Sequence, residues 1–125
     1  NVNIKKLINF HLKNKKLATV TAIRPPGRYG VLNIKKSMVK TFSEKQKGGD
    51  GYINGGFFVL SPKVLDLINS DKTTWEQEPM LKLAKQKQLM AYKHDGFWQS
   101  MDTYRDKIQL EEIWKNKNAK WKIWK

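Results

Sequence analysis

Between Leu17 and His94 the chain alternates runs of strand length with segments of helical period, and Gly or Pro marks most of the changes. Residues 17–24, LATVTAIR, are rich in β-branched side chains and read as a strand. Pro25-Pro26-Gly27 ends it, because proline cannot donate to a ladder and Pro-Gly favours a turn. Further strands are expected at 29–34 (YGVLNI), 38–43 (MVKTFS), 52–60 (YINGGFFVL), 89–94 (LMAYKH) and 97–101 (FWQSM). Gly55-Gly56 inside residues 52–60 signals a bulge or a close backbone approach. Gly48-Gly49-Asp50-Gly51 reads as a flexible loop.

Helices are expected at 3–16, where Ile4, Leu7, Ile8 and Leu12 form an apolar face opposite lysines, and at 103–116, where Thr103 and Asp106 have capping-box spacing. A short helix is expected at 62–69, with Ser61 as its cap and Pro62 at the first helical position. Another lies within 73–88; Thr74 and Gln77 there also have capping-box spacing, but Pro79 interrupts a helix begun so early. Such a mixture of elements defines an α/β or α+β chain, expected to form a single domain over 1–125.

Charge bounds the partners. Residues 1–47 carry a net +11, with Glu44 their one acid; residues 113–125 carry five bases and no acid. A basic first third and a Trp-Lys tail can attract nucleic acid, another polyanion or an anionic substrate. The bases are 22 Lys to 3 Arg, whereas base-edge and bidentate phosphate recognition favour Arg. A stand-alone module binding nucleic acid or another polyanion is therefore the alternative reading, set against a solvated basic face. No apolar run approaches the roughly 20 residues of a spanning helix, and a cytoplasmic location without membrane contact is expected. Zero Cys excludes disulfides, thiolate metal sites and a cysteine nucleophile.

Four clusters stand out as candidates for chemistry. In RPPGRYG, residues 24–30, Arg24 and Arg28 flank a rigid turn and Gly30 exposes its backbone, suited to an anion or a sugar; a plain hairpin turn would look the same. In FSEKQK, residues 42–47, the Glu44 carboxylate can accept sugar hydroxyl protons while Lys45 meets a phosphate, and a surface ion pair is the alternative. In INGG, residues 53–56, Asn54 can donate and accept while two glycines let a ligand lie close. In GFWQSMDTYRD, residues 96–106, Asp102 falls where a strand gives way to a helix. It is either a helix cap or, if Thr103 caps instead, a carboxylate suited to Mg²⁺.

These clusters, in this order, resemble the sugar nucleotidyltransferase family in its glucose-1-phosphate cytidylyltransferase branch. The strings TVTAIRPPGRYGVLNI, INGGFFVLSPKVLDLI, TTWEQEP and GFWQSMDTYRDK carry the resemblance, which extends over nearly all of the chain. It implies the C-terminal portion of a Rossmann-like nucleotidyltransferase fold, a mixed sheet with flanking helices. It further implies an enzyme that joins CTP to glucose 1-phosphate, giving CDP-glucose, a precursor of deoxysugars for surface polysaccharide, and pyrophosphate. By that resemblance Gly30, Glu44 and Asn54 face the glucose, Lys45 its phosphate, and Asp102 is one of two Asp ligands to Mg²⁺.

The family usually has Pro at Gln46 and often at Ser100. Its glycine-rich GGxGTR loop, PKP lysine and first metal Asp have no counterpart in these 125 residues. The resemblance therefore implies the sugar-binding half without the N-terminal nucleotide-binding half, and no turnover by this chain alone. It also implies a homo-oligomer for the full-length enzyme, and a sheet left with an exposed edge.

Overall fold

In the computed structural model, residues 1–24, 31–35, 37–43 and 51–124 are described. They divide into two compact units, residues 3–94 and residues 1–2 with 95–124, where the sequence alone reads as a single domain. The larger unit is organised by β1, Ala18–Ile23. Every residue of β1 is buried, so the strand is covered on both faces. It pairs antiparallel with β4, Tyr52–Leu60, and parallel with β5, Leu89–His94. β2, Val31–Lys35, and β3, Met38–Ser43, form an antiparallel pair joined to the start of β4.

The sheet curls until β3 reaches β5, giving a closed β1-β4-β2-β3-β5 barrel. The seam is narrow: Met38 is the register partner of Met90, and the Ala91 N–H donates to the Ser37 carbonyl at 2.9 Å. Each strand thus has a neighbour on both sides, but β4 meets β2 only through Tyr52 and Ile53 and β5 meets β3 only through Met90.

One face of β1 (Ala18, Val20, Ala22) packs with Val39, Leu89 and Ala91 against Val64 and against Met80, Leu83 and Ala84 of α2, Glu78–Lys85. Helix α2 begins late because of Pro79. Proline in the first turn has no N–H to lose there, and the 74/77 spacing yields only a backbone turn, Gln77 N–H to the Thr74 carbonyl at 3.1 Å. The other face of β1 holds buried Thr19 and Thr21 beneath α1, Ile4–Asn14, and β4. Thr21 Oγ1 donates to the Phe57 carbonyl at 3.0 Å.

Helix α1 turns Leu7 and His11 inward and leaves Ile4, Ile8 and Leu12 exposed, so the expected apolar face is rotated. His11 lies 3.0 Å from Thr19 Oγ1 through Nδ1 and 3.3 Å from Ser61 Oγ through Nε2. Ser61 Oγ in turn donates to the Lys16 carbonyl at 3.4 Å. With its proton spent there, the serine accepts from Nε2–H, and Nδ1 accepts from the threonine. Burial pushes the His11 pKa down, favouring this neutral ring. The same network corrects the expected role of Ser61. Its side chain makes no cap, and the segment it precedes, Pro62–Leu67, is a short 3-10 helix.

The smaller unit carries α3, Tyr104–Lys115. Its capping box forms as expected, with Asp106 N–H to Thr103 Oγ1 at 3.2 Å and Thr103 N–H to Asp106 Oδ2 at 3.1 Å. Residues 97–101 are not a strand. The Phe97 ring sits 5.4 Å from that of Trp121.

Lysine stands in the left-handed region just past each α-helix, at Lys15 (φ 51°), Lys87 (φ 56°) and Lys117 (φ 56°). Lys87 and Lys117 close full Schellman motifs. Gln88 N–H reaches the Leu83 carbonyl at 2.8 Å, and Asn118 N–H reaches the Ile113 carbonyl at 3.0 Å. A side chain with a Cβ is disfavoured there, while glycine loses more freedom on folding, and the first effect is larger. Lys87→Gly and Lys117→Gly should each raise stability by about 0.5–1 kcal/mol. Lys82→Gly, inside α2, should lower it by about 1 kcal/mol. Urea unfolding midpoints that move in the same direction for all three variants would refute the argument.

Candidate active site

Antiparallel register brings the ends of four strands into one row: Ile23 pairs with Ile53, Ile53 with Val31, and Val31 with Ser43. Val31 directly follows the RPPGRYG segment, and Ser43 belongs to FSEKQK. Arg28, Gly30, Glu44 and Lys45 themselves lie outside the described residues, as do the Pro-Pro-Gly turn and most of the Gly48–Gly51 loop. Both segments therefore depart from the barrel end where Asn54 also stands, opposite Ala22.

Asn54 is half-buried, and its Oδ1 accepts the Gly56 N–H at 2.9 Å. That bond uses one lone pair of Oδ1, and the Nδ2 group remains a donor suited to a hydroxyl oxygen. The glycines explain the geometry. A Cβ on Gly55 would lie 2.9 Å from Ile23 Cγ2 and 3.2 Å from the Thr21 carbonyl oxygen, while Gly56 has φ +70°. The register shift between Val20 and Ala22 marks the bulge expected from the Gly-Gly pair.

Two cations gather at the same end. The Arg24 guanidinium lies 4.8 Å from the Tyr52 ring centroid and Lys93 Nζ lies 5.1 Å from it. Arg24 belongs to a cluster the sequence singles out. Tyr52 and Lys93 do not, because Lys93 reaches the row only through parallel pairing of β5 with β1, where it is the partner of Ala22. This end of the barrel thus combines a side-chain amide donor with positive charge, a combination that suits a phosphorylated polyhydroxy compound.

Asp102 lies in the smaller unit, exposed, immediately before the Thr103 cap. Because Thr103 and Asp106 make the cap between them, the Asp102 carboxylate takes no part in it. Among the described residues no group of three or more His, Cys, Asp or Glu side chains is placed to hold a metal. Nor is any helix among them long and apolar enough to cross a membrane.

Residues 1–121 match the nucleotidyl transferase family, and the chain belongs to it. The glucose-1-phosphate cytidylyltransferase of Salmonella typhimurium is 55% identical over 123 residues, covering 98% of this chain and 48% of that protein. A probable glucose-1-phosphate cytidylyltransferase of Bacillus subtilis is 44% identical over 125 residues, covering 99% of this chain and 49% of that protein. The chain thus spans about half the length of the curated relatives it matches. Among solved structures, HddC from Yersinia pseudotuberculosis superposes with a TM-score of 0.75 at 23% identity, over 90% of this chain and 50% of that one. That likeness carries the fold, a nucleotidyltransferase mixed sheet with flanking helices.

Proposed function

We propose that this chain forms the C-terminal, sugar-phosphate-binding half of a glucose-1-phosphate cytidylyltransferase. The observation that carries the reading is the 55% identity to the Salmonella typhimurium enzyme along 98% of the chain. The amide-and-cation end of the barrel supports it. The reaction is an in-line attack of the glucose 1-phosphate oxygen on the α-phosphorus of CTP, which forms CDP-glucose and expels pyrophosphate. Positioning and charge neutralisation do most of the catalytic work, and no covalent protein nucleophile is needed.

In this reading Asn54 Nδ2 donates to a glucose hydroxyl, and Glu44 and the Gly30 N–H hold further hydroxyls. Lys45 and Arg28 meet the phosphate, and Arg24 and Lys93 keep the approach positive. Asp102 fits Mg²⁺ as one ligand. Mg²⁺ uses one or two carboxylates and completes its shell with water and phosphate oxygens, and an exposed carboxylate outside the helix cap meets that need. When bound, the ion would neutralise charge on the phosphates. A cytoplasmic, oligomeric enzyme serving surface polysaccharide synthesis follows from the same reading.

The test is pyrophosphate release by a full-length protein carrying this sequence, with each nucleoside triphosphate and sugar 1-phosphate in turn. Turnover that requires glucose 1-phosphate, prefers CTP and stops with a chelator is the expected result. The 125 residues alone should give none. Preference for another triphosphate, or for mannose 1-phosphate, would overturn the assignment.

A further inference from the structure

The smaller unit contains a cleft of about 570 Å³ lined by Trp114, Lys115, Lys117, Ala119 and Lys122. Three of those five residues are lysines and none is acidic, and no ion pair among the described residues engages any of the three. Trp114 is 49% exposed although it is the largest apolar group of the lining. It is also firmly backed: its ring stacks on Trp121 at 6.4 Å and 21°, and Trp121 rests against Phe97 at 5.4 Å. Lys122 Nζ lies 5.9 Å from the Trp114 centroid, and the Schellman turn fixes the backbone at Lys117.

What would use all of these groups? A bare phosphate would use the ammonium groups and leave the indole idle. An uncharged apolar ligand would use the indole and desolvate three unpaired charges, which is costly. The end of α3 adds a partial negative charge of roughly half a unit, too little to offset three ammoniums. A ligand with both a planar ring and a phosphate satisfies everything: the ring stacks on the indole and the phosphate meets the lysines, which bind phosphate as point charges. The flexible Lys122 stem lets its ammonium leave the ring for the phosphate. The volume falls within the usual range for small-ligand sites.

We propose that this cleft binds one nucleotide unit, a base with its phosphate, taken either from a free nucleotide or from single-stranded nucleic acid. The proposal does not rest on the sugar-phosphate reading and concerns different residues. It is tested on the 125-residue chain by equilibrium dialysis with AMP and with ribose 5-phosphate, which carries the same phosphate without a base. AMP should bind about tenfold more tightly than ribose 5-phosphate. Trp114→Leu should abolish that difference and Trp114→Phe should keep most of it, which separates loss of stacking from misfolding. Lys115→Gln with Lys122→Gln should weaken both ligands alike. A short oligothymidylate that binds more tightly than AMP and weakens steeply with salt identifies single strands as the source; equal affinity identifies the free nucleotide. Absence of any AMP advantage, or an advantage that survives Trp114→Leu, overturns the proposal. So does a Trp114→Leu chain that changes its sedimentation while the unaltered chain ignores AMP, because the face is then a subunit contact.

Discussion

Leu83→Ala is expected to remove about 2–5 kcal/mol from the stability of the barrel unit. Leu83 is fully buried on the inner face of α2, in the cluster that joins Met80 and Ala84 to Val20, Val39 and Leu89. Truncation removes the transfer free energy of its side chain and leaves a cavity that a closed barrel relaxes into poorly. Against a total of about 5–15 kcal/mol for a domain, the loss is a large fraction. The urea midpoint, followed by far-UV circular dichroism and by hydrogen exchange of β1 amides, should fall by roughly 1–3 M. Leu65→Ala is the control: it removes the same atoms from a side chain that is 69% exposed and should stay within about 0.5 kcal/mol. Equal shifts for the two variants would mean that α2 does not anchor the core.

How far the sequence reveals this core depends on whether the signal is local. The strands Met38–Ser43, Tyr52–Leu60 and Leu89–His94 fall at the residues expected of them, because β-rich runs bounded by turn residues carry their own ends. The capping box at Thr103 and Asp106 is also legible, since both partners lie within one turn. Helix α1 shows the limit. Its period is visible, but apolar residues stand on more than one side, and only contact with β1 selects the side holding Leu7 and His11. Ser61 shows the same limit. A local cap competes there with a histidine fifty residues away, and the distant partner wins.

The candidate site divides along the same line. The Gly55-Gly56 pair announces a bulge beside Asn54, and the structure supplies the reason in the close approach of Ile23. The pairing of Arg24 and Lys93 around Tyr52 could not be read locally, since it needs a parallel strand contact across about seventy residues of chain. Motif order, rather than any single spacing, linked these segments to nucleotidyl transferases, and the family match over residues 1–121 bears that out.

Asp102→Asn in the full-length protein should lower kcat by about 10²–10³-fold and leave thermal unfolding unchanged. The substitution keeps the shape of the side chain and removes its charge. The cap of α3 does not depend on it, because Thr103 and Asp106 satisfy each other's N–H groups. Asp106→Ala makes the reciprocal variant. It breaks the box and should cost about 0.5–2 kcal/mol of stability, with turnover preserved below the melting range. The Mg²⁺ dependence separates the two roles further. If Asp102 is a ligand, the residual activity of Asp102→Asn requires more Mg²⁺ for half-saturation, whereas a purely structural aspartate leaves that requirement where it was. Near-normal turnover with an unchanged Mg²⁺ requirement would remove Asp102 from the site. Loss of stability equal to that of Asp106→Ala would make its role structural rather than catalytic.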